Sequence, residues 1–210
     1  MATIGVQEPV EMQEPPAAPP SVAHRVADPG PLGLAAFAMT TFALSIANTN
    51  VWAPAGDTAL ALALVYGGSI QVLAGMWEFA RKNTFGALAF TSYGAFWISY
   101  YVLAKFILPG VKPADVPTVV GVFLLGWTIF TFYLMVTTLR INVALVVVFV
   151  VLEVTFVLLT IGNFNSQETL IKVGGWCGVA TAAAAWYTSF AGVINETFKK
   201  SVLPVGPLTR

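Results

Sequence analysis

Histidine and cysteine are nearly missing from this sequence, which has one residue of each type, His24 and Cys177. A zinc site needs about four nitrogen, sulfur or oxygen ligands, and a cysteine nucleophile needs a histidine base, so neither can be assembled here. No serine-histidine-aspartate pattern occurs, and no glycine-rich loop is followed by Lys-Ser or Lys-Thr. We therefore predict that the protein is not an enzyme and that it holds no metal and no cofactor.

Charged residues are also scarce. They make up 10% of the 210 residues, whereas a soluble domain usually has about 25%. The formal net charge is zero, so nothing indicates a nucleic-acid partner. Hydrophobic residues make up 57% of the chain, and the mean hydropathy is +0.79. This composition predicts an integral membrane protein whose main surroundings are the lipid bilayer.

Long apolar runs are what the sequence has instead. A helix that crosses a bilayer needs on the order of 17 to 25 apolar residues, at about 1.5 Å per residue. Runs of that length recur along the chain, separated by short polar or proline-containing turns. We predict an all-α polytopic membrane protein with six transmembrane helices, at residues 28–48, 58–79, 84–108, 116–138, 141–161 and 170–195.

The basic residues predict the orientation of these spans. With six spans, one side of the membrane receives Arg25, Arg81, Lys82, Arg140, Lys199, Lys200 and Arg210, and the other receives Lys105, Lys112 and Lys172. The positive-inside rule then places both termini in the cytoplasm of a multi-pass cell-membrane protein. We expect residues 1–27 to be a disordered, proline-rich cytoplasmic tail, residues 28–196 the transmembrane domain, and residues 197–210 a second cytoplasmic tail.

Polar residues within the first span form a stripe. Phe37, Thr41, Leu44 and Asn48 share one helical face, with Thr40 beside it. Threonine and asparagine side chains are costly in contact with lipid, so this face should contact other helices or water. Hydrogen bonding between helices is the structural alternative to a transport role.

Three further polar positions lie near mid-membrane. Gln71 must bond a neighbour or face a passage, and Tyr93, which follows Ser92, needs a partner for its hydroxyl group. A charged Glu153 would cost about 2.5 to 3.5 kcal/mol on insertion scales, so it should face protein or water, or be protonated. It is either a proton-titrating group beside a pathway or a hydrogen-bonded structural acid. Glu78 and Glu196, near span ends, are expected to be ordinary interface charges.

Several motifs together resemble those of one known family. The run Pro29-Gly-Pro-Leu-Gly-Leu-Ala-Ala-Phe37 resembles the Asn-Pro-Ala-Pro-Leu-Gly-Leu-x-x-Phe signature of the acetate uptake transporter family, which comprises bacterial succinate-acetate permeases and fungal relatives. Asp28 stands where the signature has asparagine. The further matches, in order, are Tyr66-Gly-Gly-x-x-Gln71, Asn83-Thr-Phe-Gly86, Phe90-Thr-Ser-Tyr-Gly-x-Phe-Trp97, Ile161-Gly-Asn163, Asn195-Glu196 and Leu203-Pro-Val-Gly206.

The resemblance implies six helices per chain, a homohexamer with one path through each protomer, and uptake of acetate or, in some members, succinate. Family members have been described both as proton-coupled and as channel-like. The resemblance also implies a hydrophobic constriction, which falls on Phe37, on Tyr93 and, by counting back from Ile161-Gly-Asn163, on Leu152.

The resulting hypothesis is passage of a short carboxylate. We expect the substrate to wait beside polar groups and then to cross the Phe37, Tyr93 and Leu152 constriction, with protons carried by Glu153. The predicted binding residues are Thr40, Thr41, Asn48, Gln71 and Ser92. Two alternatives stay open: a channel for ammonia or another small neutral solute, and an acid-sensing membrane protein that uses its proline-rich tail to bind a partner.

Overall fold

The computed structural model describes residues 26–208, and these residues form six long helices. Each helix is long and apolar enough to cross a membrane, which confirms the prediction of an all-α, six-helix membrane protein. Most of the predicted N-terminal tail lies outside the described residues. The helices are α1 (Gly30–Asn48), α2 (Ala55–Ala80), α3 (Thr84–Gly110), α4 (Val116–Thr138), α5 (Val143–Phe164) and α6 (Glu168–Phe198).

The helices are arranged as a closed ring. Helix α1 packs against α6 and α2, α5 packs against both α6 and α4, and α2 packs against α3. Helices α3 and α4 close the ring along a seam. Their backbones approach each other closely at few positions, and side chains fill the space between them. Because the number of spans is even, the described chain begins and ends on one side of the ring. We call this side, which carries Gly30 and Phe198, the near end, and the side that carries Asn48 and Glu168 the far end.

Polar side chains define where several helices begin. Pro29 occupies the N-cap position of α1, and Asp28 Oδ1, one residue earlier, accepts a hydrogen bond from the Gly30 N–H at 2.9 Å. Asn83 caps α3 by accepting from the Gly86 N–H at 3.1 Å. Asn142 caps α5 by accepting from the Leu145 N–H at 2.8 Å. These bonds satisfy N–H groups that have no partner within their own helix.

The contact between α1 and α6 depends on small residues. A Cβ at Gly178 would overlap the Ser45 side chain, and one at Gly175 would lie 2.7 Å from the Thr49 nitrogen. The Ser189 hydroxyl donates to the Pro31 carbonyl at 2.6 Å and joins the same two helices at the near end. Small residues allow this close backbone approach, which puts the polar face of α1 at a fixed rotation within the ring.

Helix α2 is interrupted by a π-helical turn at Val65–Ile70. The wider turn frees a carbonyl group, and the Ser69 hydroxyl donates to the Leu64 carbonyl at 2.9 Å. Gln71 follows this turn directly. Helix α3 has a second π-helical turn, Leu103–Ile107, before it ends. Such turns change the rotation of the residues that follow them about the helix axis, and they often occur at functional positions.

The residues after α6 return to the ring. The Val143 N–H donates to the Gly206 carbonyl at 2.8 Å, and the Ala144 N–H donates to the Val205 carbonyl at 3.0 Å. Asn195 holds the returning segment by accepting from Val202 N–H and Leu203 N–H at 2.7 and 2.9 Å. Helix α6 thus runs to Phe198, and residues 202–208, expected to be part of a tail, cap the start of α5.

The two acids at the near end differ from each other. Glu196 is exposed and pairs with Lys199, as expected of an interface charge. Glu78 is 2% exposed and accepts a hydrogen bond from Asn83 Nδ2 at 2.9 Å. The expectation of an interface charge is therefore wrong for Glu78, because the first turn of α3 at Gly86 covers its carboxyl group.

Candidate functional site

Two cavities lie inside the helix ring, one toward each end. The far cavity has a volume of about 250 Å³, and its lining runs from Phe37 to Asn48 on α1 and reaches Asn163 on α5. The near cavity has a volume of about 30 Å³, and it is lined by Leu34 and Phe37 on α1 and by residues of α2, α3 and α5. The second volume holds on the order of two waters.

An apolar cluster separates the cavities. Phe37 on α1 and Leu152 on α5 line both of them, and Tyr93 on α3 lines the near one. The rings of Phe37 and Tyr93 lie 5.8 Å apart between centroids. Phe37 is 5% exposed, and Tyr93 and Leu152 are each 3% exposed. The structure thus brings together the three predicted constriction residues in the apolar core between the two cavities.

The hydroxyl group of Tyr93 has a partner on another helix. It lies 2.9 Å from the Thr131 hydroxyl of α4. The Tyr93 ring also meets Phe130 of α4 edge-on, with centroids 5.3 Å apart, and Phe149 of α5 at 6.1 Å. The sequence predicts that this hydroxyl has a partner but does not identify Thr131, because nothing in the pattern of the fourth span distinguishes one of its threonines from another.

Most of the polar side chains that line the two cavities belong to the far one. Thr41 and Asn48, both predicted, line it. Thr41 Oγ1 is buried and has no hydrogen-bond partner, and the same is true of Trp97 Nε1, which belongs to another residue of the lining. Polar lining residues that the sequence analysis did not select are Ser45, Trp97, Tyr100, Thr155 and Asn163. Ser45 follows Thr41 at helical spacing and could have been found by that signal.

The near cavity has one amide side chain in an otherwise largely apolar lining. Gln71 lines it, is 1% exposed, and has an Oε1 atom without a hydrogen-bond partner. A buried polar atom without a partner costs about 1 to 3 kcal/mol, so this amide favours a polar molecule in the cavity. The apolar residues around it include Leu34, Phe85, Phe90, Leu145 and Phe149.

Three predicted residues line neither cavity. Thr40 is fully buried, and its hydroxyl donates to the Ala36 carbonyl of its own helix at 2.9 Å. Ser92 is half-buried. Glu153 is half-buried as well, and its Oε2 atom is buried without a hydrogen-bond partner. Each precedes or follows a lining residue in sequence, but consecutive residues of a helix point about 100° apart, so each faces a different direction.

Both cavities are electrically neutral in the described part of the chain. Lysine, arginine, aspartate and glutamate are absent from both linings, and the polar groups there are hydroxyl, amide and indole groups. Within residues 26–208 no group of three His, Cys, Asp or Glu side chains could hold a metal ion. The arrangement can offer hydrogen bonds to a small polar solute but no fixed counter-charge.

Comparison with known proteins supports a transport role for relatives of this fold. The Succinate-acetate/proton symporter SatP of Escherichia coli is 40% identical over 184 residues, which cover 87% of this chain and 96% of SatP. The solved structure of the bacterial acetate channel SatP matches with a TM-score of 0.81 and 39% identity, covering 86% of this chain and 99% of that one.

Relatives also occur in yeast. The chain spans 65% and 68% of the lengths of two Saccharomyces cerevisiae proteins. One of them, Ammonia transport outward protein 2, is 39% identical over 194 residues, which cover 90% of this chain. The model of the GPR1/FUN34/yaaH family matches residues 11–210. Because this match spans nearly the whole chain and the fold matches that of the solved channel, the protein belongs to the GPR1/FUN34/yaaH family.

Proposed function

We propose that the protein carries acetate and other short carboxylates across a membrane, through the helix ring and past a constriction formed by Phe37, Tyr93 and Leu152. One observation carries this proposal: two cavities lie on the same path through the ring, and Phe37 and Leu152 line both of them. The related protein SatP is named as a succinate-acetate/proton symporter and as an acetate channel, which supports this substrate class.

The substrate binds first in the larger cavity. The Thr41 hydroxyl and the Trp97 indole N–H have no partner within the protein, so they donate to a carboxylate that enters. Asn48, which lines the same cavity, adds an amide. Neutral donors replace part of the water shell of an anion without holding it so tightly that release becomes slow. In the near cavity, the NH₂ group of the Gln71 side chain is the donor for the same task.

The apolar cluster then selects by size and by hydration. An apolar constriction gates by excluding water, so a permeant must shed much of its water shell there. A second carboxylate group would have to be desolvated without a cation in the lining. We therefore assign acetate and other small monocarboxylates as preferred substrates over the dicarboxylate succinate.

Uptake of radiolabelled acetate into proteoliposomes, with and without a pH gradient, tests the proposal. We expect uptake above that of protein-free liposomes, and competition by propionate that is stronger than competition by succinate. Uptake equal to that of protein-free liposomes under both conditions would reject carboxylate transport by this protein.

We also propose that Glu153 takes up and releases protons that accompany the substrate. Its Oε2 atom is buried without a hydrogen-bond partner in the middle of α5, where a charged carboxylate is costly, and this supports a group that exchanges protons. The residue lines neither cavity, so it acts from the helix interface beside the constriction and not by contact with the carboxylate.

Ammonia is the second candidate permeant. One yeast relative is named for ammonia transport, and a narrow apolar constriction would also pass a small neutral solute. Ammonium-dependent alkalinisation of the liposome interior, measured beside acetate uptake, separates the two.

The acid-sensing alternative is tested by deletion of residues 1–27, since a transporter keeps its flux and a sensor loses its signalling.

The assembly and the orientation are part of the same proposal. We assign both termini to the cytoplasm from the distribution of basic residues, and a homohexamer from the resemblance of the sequence motifs. Large apolar side chains on the outside of the ring, such as Trp77 and Phe190, which are 54% and 56% exposed, contact lipid or neighbouring protomers. Native mass spectrometry of the detergent-solubilised protein gives the subunit number directly.

A further inference from the structure

Thr131 uses its hydroxyl group differently from most buried threonines of the helix ring. Six of them donate to a carbonyl group three or four residues earlier in their own helix, as is usual for threonine in apolar helices. These are Thr40, Thr49, Thr138, Thr155, Thr181 and Thr188. Thr131 is 0% exposed, and its hydroxyl instead meets the Tyr93 hydroxyl of α3 at 2.9 Å.

This bond crosses the seam where the ring is least constrained by backbone contact. Helices α3 and α4 approach each other closely at few positions, and aromatic rings fill the space between them. Tyr93 packs there against Phe130 and Trp127, with centroids 5.3 and 6.2 Å away. Aromatic packing tolerates several ring orientations of similar energy, whereas a hydrogen bond has a narrow range of distance and angle.

We infer that Thr131 is a positioning residue for the constriction: its hydroxyl group holds the Tyr93 ring against Phe37 and thereby sets which carboxylates pass. This inference rests on the proposed function. A buried hydroxyl without a partner is unfavourable, so Tyr93 must turn when Thr131 cannot bond it. An alternative acceptor is Gln71 Oε1, which has no partner and lies in the lining of the same near cavity.

Thr131→Val tests the inference, because valine has nearly the shape of threonine but no hydroxyl group. One net hydrogen bond shifts a conformational equilibrium by about two- to tenfold. We expect the ratio of butyrate to acetate uptake in proteoliposomes to rise by that factor. Thr131→Ser, which restores a hydroxyl group, is expected to return the ratio to within twofold of wild type. If Thr131 acted only by packing its side chain, serine would not rescue the ratio, because it lacks the methyl group of threonine.

Thr128→Val is the matched control. Thr128 lies on the same helix, and its hydroxyl also pairs with a threonine of a neighbouring helix, Thr160, at 2.9 Å. Thr160 lines neither cavity, whereas Tyr93, the partner of Thr131, lines the near one. We expect the uptake ratio of this variant to equal that of wild type. An unchanged ratio in assembled Thr131→Val, or an equal rise in Thr128→Val, overturns the positioning inference and leaves carboxylate transport intact.

A thermal double-mutant cycle separates failure of this inference from failure of the proposed function. Thr131→Val, Tyr93→Phe and the double variant are compared by their unfolding temperatures in detergent. We expect the double variant to unfold at nearly the temperature of the less stable single variant, because both changes remove the same bond. Additive shifts overturn the coupling of the two side chains, whatever the permeant of the wild-type protein proves to be.

Discussion

Phe37 and Tyr93, from the first and third helices, lie with their ring centroids 5.8 Å apart and with their planes inclined by 53°. Leu152 of α5 completes this contact by lining the cavities on both of its sides. The three side chains therefore lie between the two cavities, in the interior of the helix ring. The functional predictions depend on this arrangement.

Shortening a constriction side chain should admit longer acids. In Leu152→Ala or Phe37→Ala, we expect the ratio of butyrate to acetate uptake to rise by roughly tenfold, the factor that corresponds to about 1.4 kcal/mol of barrier. Radiolabelled uptake into proteoliposomes measures the ratio. Val154→Ala on the outer face of α5, where Val154 is 45% exposed, is the control. Unchanged chain-length selectivity in both constriction variants would reject the gate.

Removing a donor from the far cavity should weaken substrate binding. Thr41→Val and Trp97→Phe each delete a buried donor that has no partner in the protein. We expect the acetate concentration for half-maximal uptake to rise about two- to tenfold, because one net hydrogen bond is lost, while chain-length selectivity stays unchanged. Thr188→Val is the matched control, since that hydroxyl bonds its own helix at the Ala184 carbonyl. Half-saturation equal to wild type in both variants contradicts the assignment of this cavity as a binding site.

Glu153→Gln tests proton coupling. Glutamine keeps the shape of the side chain but cannot take up a proton, so we expect the pH dependence of acetate uptake to flatten while assembly stays intact. Uptake measured from pH 5 to pH 8 under a fixed acetate gradient shows the profile. Glu168→Gln is the control, because Glu168 forms an exposed pair with Lys172 at 2.7 Å. A wild-type profile in Glu153→Gln means that this residue does not carry the proton.

The returning C-terminal segment should contribute to stability and not to selectivity. Asn195→Ala removes two accepted hydrogen bonds and the bond that Asn195 Nδ2 donates to the Leu203 carbonyl at 2.8 Å. We expect the free energy of unfolding to fall by about 1 to 3 kcal/mol, read as a lower unfolding temperature in detergent. Asn165→Ala, which removes a single exposed bond to the Ile161 carbonyl, is the control. Equal unfolding temperatures in the two variants would show that the segment is not held by Asn195.

The six spans could be predicted because length and hydropathy are local properties of the chain. The fourth span is predicted at residues 116–138 and runs over Val116–Thr138, since Lys112 and Pro113 precede it and Arg140 follows it. The second begins at Ala55, three residues earlier than predicted, because Pro54 starts its first turn. Phe37, Tyr93 and Leu152 came from the family resemblance, and hydropathy alone does not distinguish them from their neighbours.

The polar site was predicted only in part. Thr41 and Asn48 line the far cavity, and Gln71 lines the near one, but Thr40, Ser92 and Glu153 line neither. The sequence shows that a residue is polar and deep in a span, yet its direction depends on helix rotation. Small residues such as Gly178 fix that rotation in α1 and α6, and the π-helical turn before Gln71 fixes it in α2.

The sequence by itself determined that this is a membrane protein, that it has six helices, and that the described chain begins and ends on the same side of the helix ring, because each follows from apolar runs counted along the chain. Only the tertiary structure decided that Thr131 bonds Tyr93, that Trp97 joins the polar lining, and that Glu78 is buried. These relationships join different helices, and packing between helices selects among rotations that an apolar sequence leaves nearly equal in energy.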